Sequence, residues 1–474
     1  MRHNKEEFMR TMKRVAAVAL SVVVLMTSGV SAKAAVTDVQ PAKSSSEAVL
    51  KWAKKVGEPF DEKTYANNTV SKIKLVGNYL YVADDAKHRI MKIDKKDGTI
   101  LKEQKYYDES YIQGYVSSIG YGDGKVYVGY DNGRVQAFDE NTLESVWITD
   151  ENKNAINADF VFTNGKLYFG TTAKTTDWYD NGAPFSYYVV TTSDDDKTKP
   201  DEEKTMKKVV ESKTGKFYLK KGVVLGKYIV ISDTAGTLTM IDTTNDKVTD
   251  TKDIGEAFSG NITYDEMTGT IYFVAGTNDL YGIKVSADGK LKDEKKVRLY
   301  ETGYSATTPE VYNGKVYVSG SKGKAFQDKG YMAVADVSSD KYKVNYTVEL
   351  SNYSQCEPTI VKTGEDSVRV YFTINDEPGG IYAIEDSKDA TSATLETVYE
   401  PTGDIKNTGC MSNVVVDEDG TIYFANDSKY IMSVGKKVED TTKSDAIVVK
   451  PVTKTVKSER SVKLTWKKNK SAKG

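Results

Sequence analysis

Gly124-Lys125-Val126-Tyr127-Val128-Gly129-Tyr130-Asp131-Asn132-Gly133-Arg134-Val135-Gln136-Ala137-Phe138-Asp139-Glu140-Asn141-Thr142-Leu143-Glu144-Ser145-Val146-Trp147 holds three strand-like runs. An Asp123-Gly124 turn precedes the first run. A second turn spans Tyr130 to Gly133, and Glu140-Asn141-Thr142 leads into a last run ending on Val146-Trp147. Asp-Gly and Asn-Gly dipeptides between alternating apolar runs mark hairpins, because they tolerate the positive φ that tight hairpin turns need. The stretch predicts consecutive antiparallel strands.

The pattern recurs. Aligned on the tyrosine of Lys-Val-Tyr-Val, copies fall at Tyr81, Tyr127, Tyr168, Ile229, Tyr272, Tyr317, Tyr371 and Tyr423, at intervals of 46, 41, 61, 43, 45, 54 and 52 residues. A period of about 40–50 residues with four strands per unit is the signature of a β-propeller. The expected fold is all-β, an eight-bladed β-propeller of four-stranded antiparallel blades. One blade cannot bury both faces of its sheet, so the blades must stack on one another. Val49-Leu50-Lys51-Trp52-Ala53 resembles the outer strand Glu144-Ser145-Val146-Trp147 yet precedes any inner strand, and the last repeat, 411–434, lacks a fourth strand. The Trp52 strand is therefore expected to complete the last blade and cover its open edge.

Charged residues make up 28% of the chain and nearly cancel to a net charge of -2, which argues against a nucleic-acid partner held through phosphates. Only His3 and His88 are present, so a histidine zinc site or a histidine general-base cluster is excluded by inventory. Lys13-Arg14, an apolar run from Val15 to Met26 and Ala32-Lys33-Ala34 read as a signal peptide over 1–34, cleaved after Ala34. The run is short for a span of about 20 residues, so no membrane span is expected after its removal. No cysteine lies near the cleavage site for lipid attachment. Residues 35–47 are small and polar and are expected to be a flexible segment. The propeller is placed at 48–436 and a polar linker at 437–446. Residues 447–474, with Ile447-Val448-Val449 and Ser461-Val462-Lys463-Leu464-Thr465-Trp466, resemble the opening of a fibronectin type III domain. Such a sandwich needs about 100 residues, so the chain reads as a piece of a longer protein with a truncated β-sandwich start. Cys356 and Cys410 occupy similar positions in adjacent repeats. An exported protein allows a disulfide between them. Adjacent inner strands set the Cα atoms apart, however, and two buried free thiols is the other reading.

Strand counting sorts the loops. The Asn-Gly-Lys turns lie on one face and are uniform. The opposite face carries the variation, at 106–115, 171–186, 320–330, 375–380 and 401–409. That face is expected to gather Tyr107, Tyr111, Tyr115, Trp178, Tyr179 and Tyr304. These aromatic side chains suit contact with sugars or peptides, unless they pack the insertion against its own blade. The charged run from Asp194 to Lys204 reads as a solvated loop or an extended hairpin end.

The stretch from Ala137 to Trp147 resembles the alanine-x-aspartate-x-x-threonine-glycine-x-x-x-tryptophan repeat of the PQQ-like β-propellers, with Leu143 in place of the glycine. Weaker echoes stand at Ile93-Asp94, Ile241-Asp242 and Ala335-Asp336. The resemblance covers about residues 48–436. In this repeat Asp139 is expected to accept backbone N–H bonds two residues on. Trp52 and Trp147 are expected to pack between blades. The resemblance implies that enzymes of the family hold a quinone and calcium in the central channel, typically over a disulfide of neighbouring cysteines. This chain has no adjacent cysteine pair, most blades lack the docking tryptophan, and no asparagine-glutamate-aspartate calcium set can be placed. No cofactor and no metal are therefore expected. Acidic residues fall mainly in turns, so a polysaccharide-active enzyme with paired carboxylates is the weaker alternative. The family also includes a lipoprotein scaffold for outer-membrane assembly, a role that lacks its lipidated cysteine here. The expected function is an exported, non-catalytic binding or scaffolding module for a protein or carbohydrate at the cell surface.

Overall fold

The hairpin turns fix where the strands begin. Asp123-Gly124, Asn164-Gly165 and Asn313-Gly314 hold both central residues at positive φ, 53° and 66°, 52° and 68°, and 48° and 77°. This is the backbone of a two-residue turn whose twist matches the strands it joins. The structure, a computed structural model, describes residues 40–56, 70–107, 119–157, 159–174, 183–217, 220–324, 328–410, 412–437, 453–458 and 461–465.

Seven blades are four-stranded antiparallel sheets running inner to outer in chain order, over 74–105, 120–149, 161–212, 223–253, 263–298, 310–350 and 359–399. The eighth takes its inner three strands from 415–436. Its outer strand is Ala48–Lys55, antiparallel to Tyr430–Lys436, with Ala48 opposite Lys436 and Trp52 opposite Ser433. The chain is an eight-bladed propeller, closed as the orphan Trp52 strand requires. One register differs from the sequence reading. In blade 4 the turn is Gly226-Lys227, and Leu225 pairs with Tyr228. Val230, not Ile229, therefore stands where the other blades have tyrosine, opposite Met240 as Tyr127 is opposite Ala137. Without an Asn-Gly or Asp-Gly pair to anchor it, the sequence alignment slips by one.

In blades 1, 3, 6 and 8 the repeated tyrosine ties its blade to the next, whereas the Tyr127 hydroxyl donates to the Gly122 carbonyl of its own blade at 3.0 Å. The Tyr81 hydroxyl donates to the Glu140 carbonyl at 2.6 Å, Tyr168 to the Asp246 carboxylate at 2.7 Å, Tyr317 to Asp386 at 2.8 Å and Tyr423 to the Lys95 carbonyl at 3.1 Å. Glu140, Asp246 and Lys95 lie between strands three and four of the following blade, and Asp386 lies near the end of strand three. The lysines that open the second strand reach the same turns, Lys166 to Asp246 at 2.7 Å and Lys315 to Asp386 at 3.0 Å. The short-turn face is thus laced by its own side chains.

The turn aspartates also organise their own backbone. The Asp139 Oδ1 accepts the amides of Asn141 and Thr142, each at 2.8 Å, and Asp242 and Asp336 do the same for Thr244 and Ser338 at 2.9 and 3.0 Å. Leu143, where the family repeat has glycine, adopts φ 57° and is wholly buried, so core packing offsets its strained backbone. Hydrogen bonds from Lys227 and then Thr244 bring the Asp242 carboxyl down to about 2. Burial raises Asp246, but bonds from Lys166, Tyr168 and Lys207 outweigh it and hold the carboxyl below its usual range. A carboxylate with a lowered folded pKa stabilises above its unfolded pKa and loses that contribution as pH falls through the folded value. Ring stability should therefore be level above about pH 4 and fall toward pH 2. Urea unfolding across that range checks this, and a flat profile down to pH 2 would contradict it.

The core is a series of seams between blades. Tyr127, Val135, Ala137 and Trp147 of blade 2 pack on Leu167, Phe169 and Val190 of blade 3, all buried. The Trp147 and Tyr127 ring centroids are 5.6 Å apart. Trp52 fills the seam from blade 8 to blade 1. Its Nε1 donates to the Lys95 carbonyl at 3.1 Å, and its ring lies so close over Gly98 that a Cβ there would stand 2.7 Å away.

Two segments differ from expectation. Residues 40–47, the described part of the segment expected to be flexible, lie on blade 7. Arg369 donates to the Lys43 carbonyl at 2.8 Å, Tyr371 to the Ala42 carbonyl at 3.2 Å, and Ala42 is buried. Their small polar composition suits a loop, but the carbonyls are captured by long side chains of blade 7. The charged run from Asp194 to Lys204 returns as an edge strand, Glu202–Lys204, parallel to Ser145–Thr149 of blade 2. Lys204 is buried there, its ammonium 5.7 Å from the Trp147 ring and 3.1 Å from Asp195. The 437–474 unit, described by itself, contributes one antiparallel hairpin, Thr453–Ser458 with Ser461–Thr465. Trp466 lies outside the described residues.

Candidate functional site in the central channel

The inner strands carry a concealed ring. The residues paired with the tyrosine position are Lys74, Gly120, Val161, Val223, Thr263, Glu310, Thr359 and Val415. Two positions earlier in sequence stand Lys72, Ser118, Asp159, Lys221, Asn261, Thr308, Glu357 and Asn413, all polar. The residues between are Ile73, Ile119, Phe160, Gly222, Ile262, Pro309, Pro358 and Val414, none of them polar.

Side chains from blades that are not neighbours meet here, which they can do only by reaching toward the axis. Lys221 of blade 4 lies 3.7 Å from Glu357 of blade 7, and Lys72 of blade 1 lies 3.9 Å from Asp159 of blade 3. Glu310 of blade 6 adjoins Glu357. Burial, reinforced by the Glu357 charge, raises the Glu310 carboxyl well above its usual range. Burial opposes ionisation of Glu357 as well, but Lys221 and Lys72 outweigh it and hold that carboxyl low. Glu357 in turn raises Lys221. The throat is therefore crossed by ion pairs, with the Glu310 carboxyl beside them. Among the described residues no group of three or more His, Cys, Asp or Glu is placed to hold a metal ion.

None of these channel residues stands out in the sequence reading. Inner strands such as Lys74–Val76 are three residues long, too short for a visible alternation. The signal that could have found them is the polar residue two places before each tyrosine-paired position, readable once the register is known.

The aromatic residues expected on the loop-bearing face are only partly described. Tyr111, Tyr115, Trp178 and Tyr179 lie outside the described residues. Tyr107 is half-buried at the junction of blades 1 and 2, where its amide donates to Gln136 at 2.9 Å and Arg134 lies 5.6 Å over its ring. Tyr304 is half-buried at the entry to blade 6, bridged to Ser321 through the backbone. The two belong to separate junctions and are not brought together. Cys356 and Cys410 are free, buried thiols, so no disulfide joins them. The Cys356 Sγ donates to the Glu357 carbonyl at 3.1 Å, and burial raises both thiols.

No protein-family model and no curated protein matches the sequence. Solved structures match the fold. BamB from Moraxella catarrhalis superposes with a TM-score of 0.55 at 12% identity, over 82% of this chain and 97% of its own. The quinohemoprotein alcohol dehydrogenase ADHIIG from Pseudomonas putida HK5 superposes with a TM-score of 0.57 at 11% identity, over 84% and 78%. The computationally designed Ika8 protein gives 0.52 at 10% identity, over 82% and 99%. At such identities the likeness is one of fold. The same ring serves a dehydrogenase and a designed protein, so architecture alone does not choose a function.

Proposed function

We propose that the protein is an exported, non-catalytic binding or scaffolding module. In this reading it presents the loop-bearing face of its ring to a protein or carbohydrate partner at the cell surface. The observation that carries the proposal is the crossing of the channel by the protein's own Lys221–Glu357 and Lys72–Asp159 pairs. A flat cofactor laid across the axis at that level would have to displace both. The short-turn face is committed to blade-to-blade bonds such as Tyr317 to Asp386. That leaves the opposite face, with its variable loops, for recognition. Export rests on the 1–34 signal pattern, and the fibronectin-like start at 447–474 fits a multi-domain surface protein.

The test is a binding screen of wall polysaccharides, mucin glycans and peptides against wild type and a Trp178→Ala, Tyr179→Ala variant. Binding should be lost in the variant while its melting temperature holds. Undiminished binding would move the partner site elsewhere. Dye reduction after reconstitution with PQQ and calcium would overturn the non-catalytic reading. So would polysaccharide cleavage abolished by Glu357→Gln.

A further inference from the structure

Lys220, in the linker entering blade 4, is only 3% exposed. Its Nζ donates to the carbonyls of Phe258 at 3.1 Å and Gly260 at 2.6 Å, both in the linker entering blade 5. The Lys221 amide crosses the same junction to Asn261 Oδ1 at 2.8 Å. Both acceptors are held in place. Phe258 is bridged to Ala275 and packs on Phe273, with ring centroids 4.6 Å apart. Gly260 lies so close to blade 6 that a Cβ there would stand 2.2 Å from the Thr307 carbonyl.

No carboxylate is committed to this lysine. Asp233 is the one charged group that acts on it among the described residues. The Asp233 Oδ1 already accepts the amides of Ala235, Gly236 and Thr237 at 3.0, 3.1 and 3.0 Å, and its Oδ2 accepts the Ser212 hydroxyl at 2.8 Å. An ammonium brings three N–H donors and a charge to compensate, whereas a neutral amine brings two donors and no charge. The junction supplies two carbonyls and no free counter-ion, so it suits the amine. Burial lowers the Lys220 pKa to about 7, against the opposing pull of Asp233.

We infer that Lys220 is a pH-sensitive clasp between the entries to blades 4 and 5, tighter when its amine is neutral. Opening the junction returns Lys220 to water, where a lysine titrates near about 10.4. Below about pH 7 the open and closed forms both hold the proton, so the opening equilibrium is level. Between about pH 7 and 10 the open form alone keeps the proton, so opening becomes rarer as pH rises. The clasp does not depend on the nature of the partner proposed above.

Hydrogen exchange read by peptide mass spectrometry tests the junction, with each rate divided by the intrinsic exchange rate at that pH. The reporters are the Lys221 amide and the Gly276 amide, which donates to the Ala257 carbonyl at 2.9 Å. In wild type their opening should fall roughly tenfold per pH unit from about pH 7 to 9, the slope of a single proton, and show no trend from about pH 5 to 7. The turn carboxylates are ionised throughout this range and add no slope of their own. Lys220→Met is never charged and Lys220→Arg stays charged, so the slope should vanish in both. Should Lys220→Met fail to fold, Lys220→Arg alone decides. A slope retained in either folded variant, or none in wild type, overturns the proposal.

Discussion

Trp147→Ala is expected to cost about 3–5 kcal/mol of folding stability, the usual range for emptying a buried aromatic site. The ring is fully buried in the seam between blades 2 and 3, against Tyr127. Its Nε1 donates to the Thr192 carbonyl at 3.4 Å, and the Lys204 ammonium lies over its face. Removing it opens a void walled by two sheets that cannot close on each other without breaking their own pairing. It also strips the support beneath the edge strand Glu202–Lys204, which pairs with blade 2 at Trp147 itself. Urea unfolding should show the loss, and limited proteolysis by trypsin should cut faster after Lys197. Trp178→Ala, in the blade-three insertion, is the comparison variant and should leave the unfolding midpoint nearly unchanged. Equal losses in the two would mean that the role of the repeat tryptophan has been misread.

Asp386→Ala should be comparably damaging, by about 3–5 kcal/mol, because it strands a buried cation. Lys315 is almost fully enclosed, and its ammonium lies 3.0 Å from Asp386 of the next blade. The same carboxylate accepts the hydroxyls of Tyr317 and Tyr346. Taking it away leaves three donors facing a missing acceptor. The double variant Lys315→Met, Asp386→Leu removes the stranded cation and should recover part of the loss, since the Tyr317 and Tyr346 hydroxyls still lack their acceptor. A double-mutant cycle by urea unfolding reads the coupling. Strict additivity would show that the two residues do not act as a unit.

The ring was legible from the sequence because its punctuation is local. Asp123-Gly124, Asn164-Gly165 and Asn313-Gly314 impose their hairpins within two residues, and Trp52 announced itself as an outer strand without a sheet. The channel was not legible, because Lys221 and Glu357 meet only through the curvature of the whole ring and come from stretches with no periodic signal. Composition misled twice. The residues before Ala48 look mobile, yet Arg369 and Tyr371 hold the carbonyls of Lys43 and Ala42. The run ending at Lys204 looks solvated, yet the Lys204 side chain is buried against Trp147. In both cases the deciding contact comes from a distant blade.

The strand Ala48–Lys55 is made early and used last. Its partner, Tyr430–Lys436, is synthesised after seven other blades. While the chain is being made, blades 1 to 7 can form hairpins in order, each from neighbouring residues. The first strand has no template until the final one arrives. Loop closure over nearly the whole propeller is the entropically costly step, so it is expected to set the folding rate. A chain cut short anywhere before residue 430 keeps its blades but has an unmatched strand at one end and an open sheet edge at the other. Both are exposed to proteases and to other copies. Ring closure thus works as a check of completeness: only a chain translated through its last blade can cover both open edges.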